Sequence, residues 1–180
     1  LIDTLSLKIA VGIKAKVPEH PASVNVLKFA IAALINGLTI ILFSLIGSLV
    51  TDTFIEAITV LVSFAILRQL SGGYHLKSGV ACIVVSTVGV LALSLTGDLG
   101  AEFVFILNVI NVILAIVFSP SDIEKQSRIK KKYFPFLKLS STMLVAINFA
   151  IGSPVLASTF LVQCLTLIKL PIRERKGVVK

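Results

Sequence analysis

Apolar runs separated by short polar breaks organise this sequence. The first run is Val26–Val50, interrupted by Lys28 near its start and by Asn36 and Gly37. It is long enough to cross about 30 Å of hydrocarbon with tilt. After Thr51-Asp52 comes Thr53–Leu67, which carries Glu56 near its start. At 1.5 Å per residue this second run covers roughly 22 Å, short for a full crossing. The third run is Gly79–Leu95 and the fourth Phe103–Phe118, ended by Ser119-Pro120. The last stretch, Leu139–Leu170, is almost free of charge, and Gly152-Ser153-Pro154 divides it into two short spans read as a hairpin. Polar breaks lie at 68–78, 96–102 and 119–138. In the third of these, Ser121 and Glu124 have capping-box spacing and predict a short helix. Ahead of all this, Leu5, Ile9 and Ile13 recur every four residues in 2–16 among Lys8, Lys14 and Lys16. That pattern predicts an amphipathic helix lying either on the membrane or against the protein. Pro18 and Pro21 end it.

The pattern therefore predicts an all-α integral membrane protein with about six transmembrane or membrane-embedded helices plus an N-terminal amphipathic helix. Its organisation reads as an N-terminal segment (1–25), a single membrane domain (26–172) and a basic tail (173–180). Composition agrees. Of 180 residues, 56% are hydrophobic and 14% charged, against about a quarter charged in soluble domains. The mean hydropathy is +1.02.

Charge adds an orientation. The net charge is +8, which in a soluble protein would raise nucleic-acid binding, but no such motif is present and no nucleic-acid partner is expected. All 17 Lys and Arg lie in or beside the N-terminal segment, the 68–78 loop, the 119–138 loop and the tail. Six crossings place these four on one side. The opposite connections hold no basic residue, while Asp52, Glu56, Asp98 and Glu102 lie in or near them. By the positive-inside rule both termini and the 68–78 loop are expected in the cytoplasm of a multi-pass cell-membrane protein. Residues 1–25 do not fit a signal peptide and are expected to remain in the mature protein. The two cysteines, Cys82 and Cys164, make neither a disulfide framework nor a zinc cluster.

Candidate chemistry concentrates in LRQLSGGYHLKSGVACIV, residues 67–84. A thiolate, not a thiol, is the competent nucleophile, so a catalytic Cys82 needs a partner to take its proton. His75 can act as that base. Cys82 falls in the first turn of the predicted third apolar helix, whose dipole favours negative charge there, and Lys77 adds positive charge nearby. A spacing of seven on a continuous helix would hold the pair roughly 10.5 Å apart along the axis, whereas proton transfer needs about 3 Å. The chain should therefore break near Ser78-Gly79, and Gly72-Gly73 permits a further turn before His75. Arg68, closing the second run, suits a substrate carboxylate or a developing oxyanion, or else caps the helix end by snorkelling. Lys130, Lys131 and Lys132 suit anchoring on anionic lipid, and also docking of an acidic peptide. Cys164, whose polar neighbour is Gln163, reads as packing. From spacing alone the plain alternative, a loop histidine and an ordinary apolar cysteine, stays open.

Arg68, Gly72-Gly73-Tyr74-His75 and Cys82 resemble the signature of the accessory gene regulator B family, quorum-sensing peptide-processing membrane proteins of Gram-positive bacteria. Arg68, Gly73, His75 and Cys82 stand at the family's spacing, and the likeness continues through Ser119-Pro120, Lys130–Lys132 and Lys138-Leu139-Ser140. The resemblance implies a cysteine endopeptidase that removes the C-terminal tail of a small precursor peptide of the autoinducer (AgrD-like). It implies catalytic roles for His75 and Cys82, functional requirement for Arg68 and Gly73, and a homodimer in membrane lipid. No metal or nucleotide motif appears, and that chemistry needs no cofactor. The rival class is a non-enzymatic membrane transporter or peptide-binding scaffold. A transporter should carry charges at mid-depth, whereas these sit at run ends.

Overall fold

The computed structural model describes residues 2–74, 78–121, 123 and 130–168. Its helices are α1 (Ile2–Lys16), α2 (Val24–Val50), α3 (Phe54–Ser71), α4 (Gly79–Ser94), α5 (Ala101–Phe118), α6 (Phe134–Ala146), α7 (Asn148–Ile151) and α8 (Pro154–Leu165). Among the described residues there is no strand beyond an isolated bridge between Gly72 and Ser121. Among the described residues, five helical stretches are long and apolar enough to cross a membrane: Val24–Val50, Phe54–Ser71, Gly79–Asp98, Ala101–Phe118 and Lys131–Ile151. Pro154–Leu165 is a shorter apolar helix. The chain is thus an all-α integral membrane protein.

Burial is inverted relative to a soluble domain. Phe29, Val50 and Phe103 are 78%, 85% and 65% exposed, while Ser44, Asn111, Asn148, Thr159 and Gln163 are completely buried. Large apolar side chains outside and small or amide-bearing ones inside is the packing that lipid selects, since lipid tails already solvate leucine as well as a core would.

Two run boundaries differ from the sequence reading. The second span runs on through Arg68 to Ser71, giving 18 residues and about 27 Å. A basic residue in the last turn complements the helix dipole rather than ending the helix; the end comes at Gly72, with φ +75°. The span expected from Leu139 begins at Phe134, because Pro135 sits in the first turn, where a missing N–H leaves no bond unmade. The short helix expected from Ser121 and Glu124 lies largely outside the described residues.

The chain forms two compact units. The first holds 2–63, 78–99 and 154–156. Here α1 folds back on α2, burying Ser6 and Ala10 and leaving Leu5 and Ile9 outward. The helix thus packs against the protein, through its small residues rather than its apolar stripe. Helices α2 and α4 run parallel. Asn36 meets Gly79 at one end, and Gly47 lies so close to Leu91 that a Cβ would sit 2.7 Å from its Cδ1. Thr53 Oγ1 and Ser94 Oγ are 2.9 Å apart at the far end. Ala57, Val60, Val90 and Val155 form the apolar cluster of this unit.

The second unit holds 64–74, 100–121, 123, 130–153 and 157–168. Buried amides tie it together. Asn148 Nδ2 donates to Asn108 Oδ1 (2.9 Å) and to Ser153 O (3.0 Å), and the Ser153 N–H donates to Asn148 Oδ1 (3.1 Å). Asn111 Nδ2 donates to Ala157 O (2.8 Å). Gly152, at φ +69°, makes the turn expected between the last two runs.

Candidate functional site

The residues of the predicted site are divided between the two units. In the second unit, α3 delivers Arg68 and then stops at a tightly held turn. Gly72 and Gly73 have φ +75° and +122°, a region that side-chain-bearing residues rarely adopt. Neither has room for a side chain. A Cβ on Gly72 would lie 2.1 Å from Ser121 O, and one on Gly73 2.5 Å from Thr166 Oγ1.

Hydrogen bonds hold the turn from several directions. The Gly73 N–H donates to Ser121 O (2.9 Å), the Ser121 N–H to Ser71 O (2.8 Å) and the Tyr74 N–H to Thr166 O (2.9 Å). Gln163 Nε2, fully buried on α8, donates to Gly72 O (2.7 Å) and Ser71 Oγ (3.2 Å). Arg68 Nη2 donates to Tyr74 O at 2.7 Å, with the guanidinium carbon 6.0 Å from the Phe64 ring centroid. Arg68 is therefore engaged in fixing the turn immediately before His75.

In the first unit, Ser78 caps α4: its Oγ accepts from the Ala81 N–H at 3.4 Å. The Cys82 N–H makes the first full helical bond, to Ser78 O at 2.9 Å. Cys82 is a free, partly exposed thiol at the end of that first turn, with Sγ 4.0 Å from Ser86 Oγ. The expected break is present, since α3 ends at Ser71 and α4 begins at Gly79. No continuous helix separates the positions of His75 and Cys82. His75 and Lys77 themselves lie outside the described residues.

Lys130 precedes, and Lys131 and Lys132 open, an exposed 3-10 turn, with Lys132 Nζ 4.9 Å from the Tyr133 ring centroid. Cys164 is fully buried, its Sγ 3.7 Å from Asn111 O. The second histidine, His20, shapes the α1–α2 connection, Nδ1 accepting from the Ala22 N–H at 3.1 Å.

The sequence reading did not reach Gln163, Thr166 or Ser121 as supports of the glycine turn. The available signal was a lone amide in a charge-free apolar run, since a polar group in lipid needs a partner.

No solved structure matches the chain. A protein of Halalkalibacterium halodurans named as AgrB-like is 29% identical over 94 residues, covering 52% of this chain and 48% of that protein. The alignment thus spans about half the length of that relative. The family model described as Accessory gene regulator B matches residues 6–170. With nearly the whole described chain inside that match, and with an all-α membrane fold, this protein belongs to the accessory gene regulator B family.

Proposed function

We propose that this protein is a membrane-embedded cysteine endopeptidase of quorum sensing. It removes the C-terminal tail of a small signal-peptide precursor and assists cyclisation of the remainder to an autoinducing thiolactone. The observation that carries this reading is the placement of Cys82. It is a partly exposed thiol at the capped start of α4, seven residues after His75 across a non-helical break. Family membership supports the substrate class.

The chemistry balances without a cofactor. His75 takes the Cys82 proton, and the thiolate adds to the scissile carbonyl carbon. The C–N bond breaks and the leaving amine carries off the proton from His75. The carboxyl side of the cut is then a thioester on Cys82. A cysteine within the bound peptide gives its proton to His75 and displaces Cys82, forming a ring thioester and restoring the enzyme thiol. Exclusion of water at the membrane edge favours this exchange over hydrolysis. Arg68, Gly72 and Gly73 support the turn that precedes His75. Lys77 and the Lys130–Lys132 turn supply positive charge toward anionic lipid headgroups or an acidic stretch of precursor. The enzyme works as a homodimer, with both termini and the catalytic loop in the cytoplasm, as the one-sided distribution of its 17 basic residues supports.

The test is precursor cleavage in reconstituted membranes, comparing wild type with Cys82→Ala and Cys82→Ser by mass spectrometry of every product. Wild type should release a C-terminal fragment and a partner product lighter by one water than the linear acid. Cys82→Ala should release neither. Cleavage by Cys82→Ala at the wild-type rate would return the protein to the transporter or scaffold class.

A further inference from the structure

The first unit places a carboxamide beside the proposed nucleophile. Asn36 is the polar interruption of the long apolar helix α2. Its amide packs on the first residue of α4: a Cβ on Gly79 would lie 3.1 Å from Asn36 Nδ2, 3.2 Å from Oδ1 and 3.5 Å from Ile2 Cδ1. Gly79 therefore lets the amide sit directly on the helix start. Cys82 follows Gly79 by three residues, which puts it on the same face, about 4.5 Å further along the axis. Side chains on a helix lean toward its N-terminus, so the Cys82 side chain leans toward the turn on which the amide packs.

Two facts about hydrogen bonding give that amide a task. Many cysteine and serine nucleophiles sit where main-chain N–H groups can hold the carbonyl oxygen under attack. Here the Cys82 N–H is taken by Ser78 O and the Ala81 N–H by Ser78 Oγ. The Gly79 and Val80 N–H groups of the same turn have no intrahelical acceptor, and the Asn36 carboxamide packed on that turn adds a side-chain donor. Further, Asn36 Oδ1 is buried with no hydrogen-bond donor among the described residues. A buried acceptor without a partner is uncommon in native structures; Ser44 Oγ, Thr87 Oγ1, Asn111 Oδ1 and Thr142 Oγ1 share that condition, and what sets Asn36 apart is its packing on the start of α4. An amide that can donate and also needs a donor is complementary to a peptide group, which offers one N–H and one C=O.

We infer that Asn36 is a substrate-contacting residue. Its Nδ2 donates to the carbonyl oxygen of the scissile peptide as Cys82 attacks, and its Oδ1 accepts a main-chain N–H of the same bound segment. This rests on the peptidase reading above. It also accounts for an asparagine near the middle of a 27-residue apolar helix whose Oδ1 finds no partner among the described residues.

The experiment is single-turnover cleavage of the precursor peptide in proteoliposomes by wild type, Asn36→Leu, Asn36→Asp and Cys82→Ala. Alkylation of Cys82 by iodoacetamide is followed in parallel, with Cys164→Ala as the common background. Leucine keeps the size and removes both hydrogen-bonding groups, and aspartate removes the donor. Both Asn36 variants should lose about 10²-fold or more in cleavage rate, the range for removing one oxyanion donor; Asn36→Leu should leave the alkylation rate of Cys82 unchanged, whereas the carboxylate of Asn36→Asp disfavours the thiolate and slows it. Wild-type cleavage by either Asn36 variant overturns the inference. So does a fall in alkylation in Asn36→Leu that matches its fall in cleavage, because Asn36 then only shapes the start of α4. If Cys82→Ala is inactive while Asn36→Leu cleaves normally, only the role of Asn36 fails. If Cys82→Ala cleaves normally, the peptidase reading fails and takes this inference with it.

Discussion

Substituting Gly72 by alanine tests how the turn before His75 is held. At φ +75° an alanine bears roughly 1–3 kcal/mol of backbone strain. Its Cβ would lie 2.1 Å from Ser121 O and 2.7 Å from Ile123 Cγ1. The first of these is main chain and cannot rotate away, so Ser121 has to retreat. That movement breaks the bonds from the Gly73 N–H to Ser121 O and from the Ser121 N–H to Ser71 O, each worth about 0.5–1.5 kcal/mol net. The sum is about 2–6 kcal/mol, centred near 4. Local opening should then become roughly 10³-fold more frequent, since about 1.4 kcal/mol is tenfold. The assay is hydrogen exchange of the Gly73, Tyr74 and Ser121 amides in detergent micelles, which reads local opening free energies. Gly89→Ala is the control, because nothing lies within 4 Å of its Cβ position in mid-helix. Alanine there should stabilise α4 by about 0.5–1 kcal/mol. If Gly72→Ala leaves protection of these amides at the wild-type level, the account of the turn is wrong.

Three further outcomes follow from the same contacts. Gln163→Leu removes the donor to Gly72 O and strands a buried carbonyl at about 1–3 kcal/mol; exchange at Gly73 and Tyr74 should rise and precursor cleavage fall, with Cys82 alkylation unchanged. Asn148→Leu removes the donor to the buried Asn108 Oδ1 and two bonds to the Ser153 main chain; the far-UV circular dichroism midpoint in a denaturing-detergent titration should drop by the equivalent of about 1–3 kcal/mol for the stranded Asn108 carbonyl. Alanine at Lys130, Lys131 and Lys132 together should raise the KM for precursor in anionic liposomes, and the difference from wild type should shrink as salt is added; a salt-independent difference would exclude an electrostatic role.

Hydropathy carried most of the fold because lipid, not packing detail, decides where membrane helices lie. It misplaced two ends for a definite reason. Arg68 and Pro135 count as interruptions on a hydropathy scale, yet a basic residue in a last turn and a proline in a first turn are both compatible with helix. The glycine turn was legible from Gly72-Gly73 alone, since adjacent glycines before a functional candidate permit positive φ. Its supports were not. Gln163 lies 91 residues from the carbonyl it binds, and nothing local in the sequence names that partner. Asn36 shared this opacity: within α2 it reads as a blemish, and only its approach to Gly79 gives it a neighbour.

The brevity and polarity of α8 bear on how the protein is made. Twelve residues reach about 18 Å, well short of a bilayer core, and this helix carries Ser158, Thr159 and Gln163. A segment of that kind has little reason to leave the translocation machinery for lipid by itself. Asn111 of α5 already holds the Ala157 carbonyl, and Gln163 holds the end of α3. Helix α8 therefore enters by docking on helices synthesised before it, and the glycine turn reaches its final form only after α8 has emerged. Biogenesis thus withholds a finished turn beside His75 until α8 and Thr166 have been made.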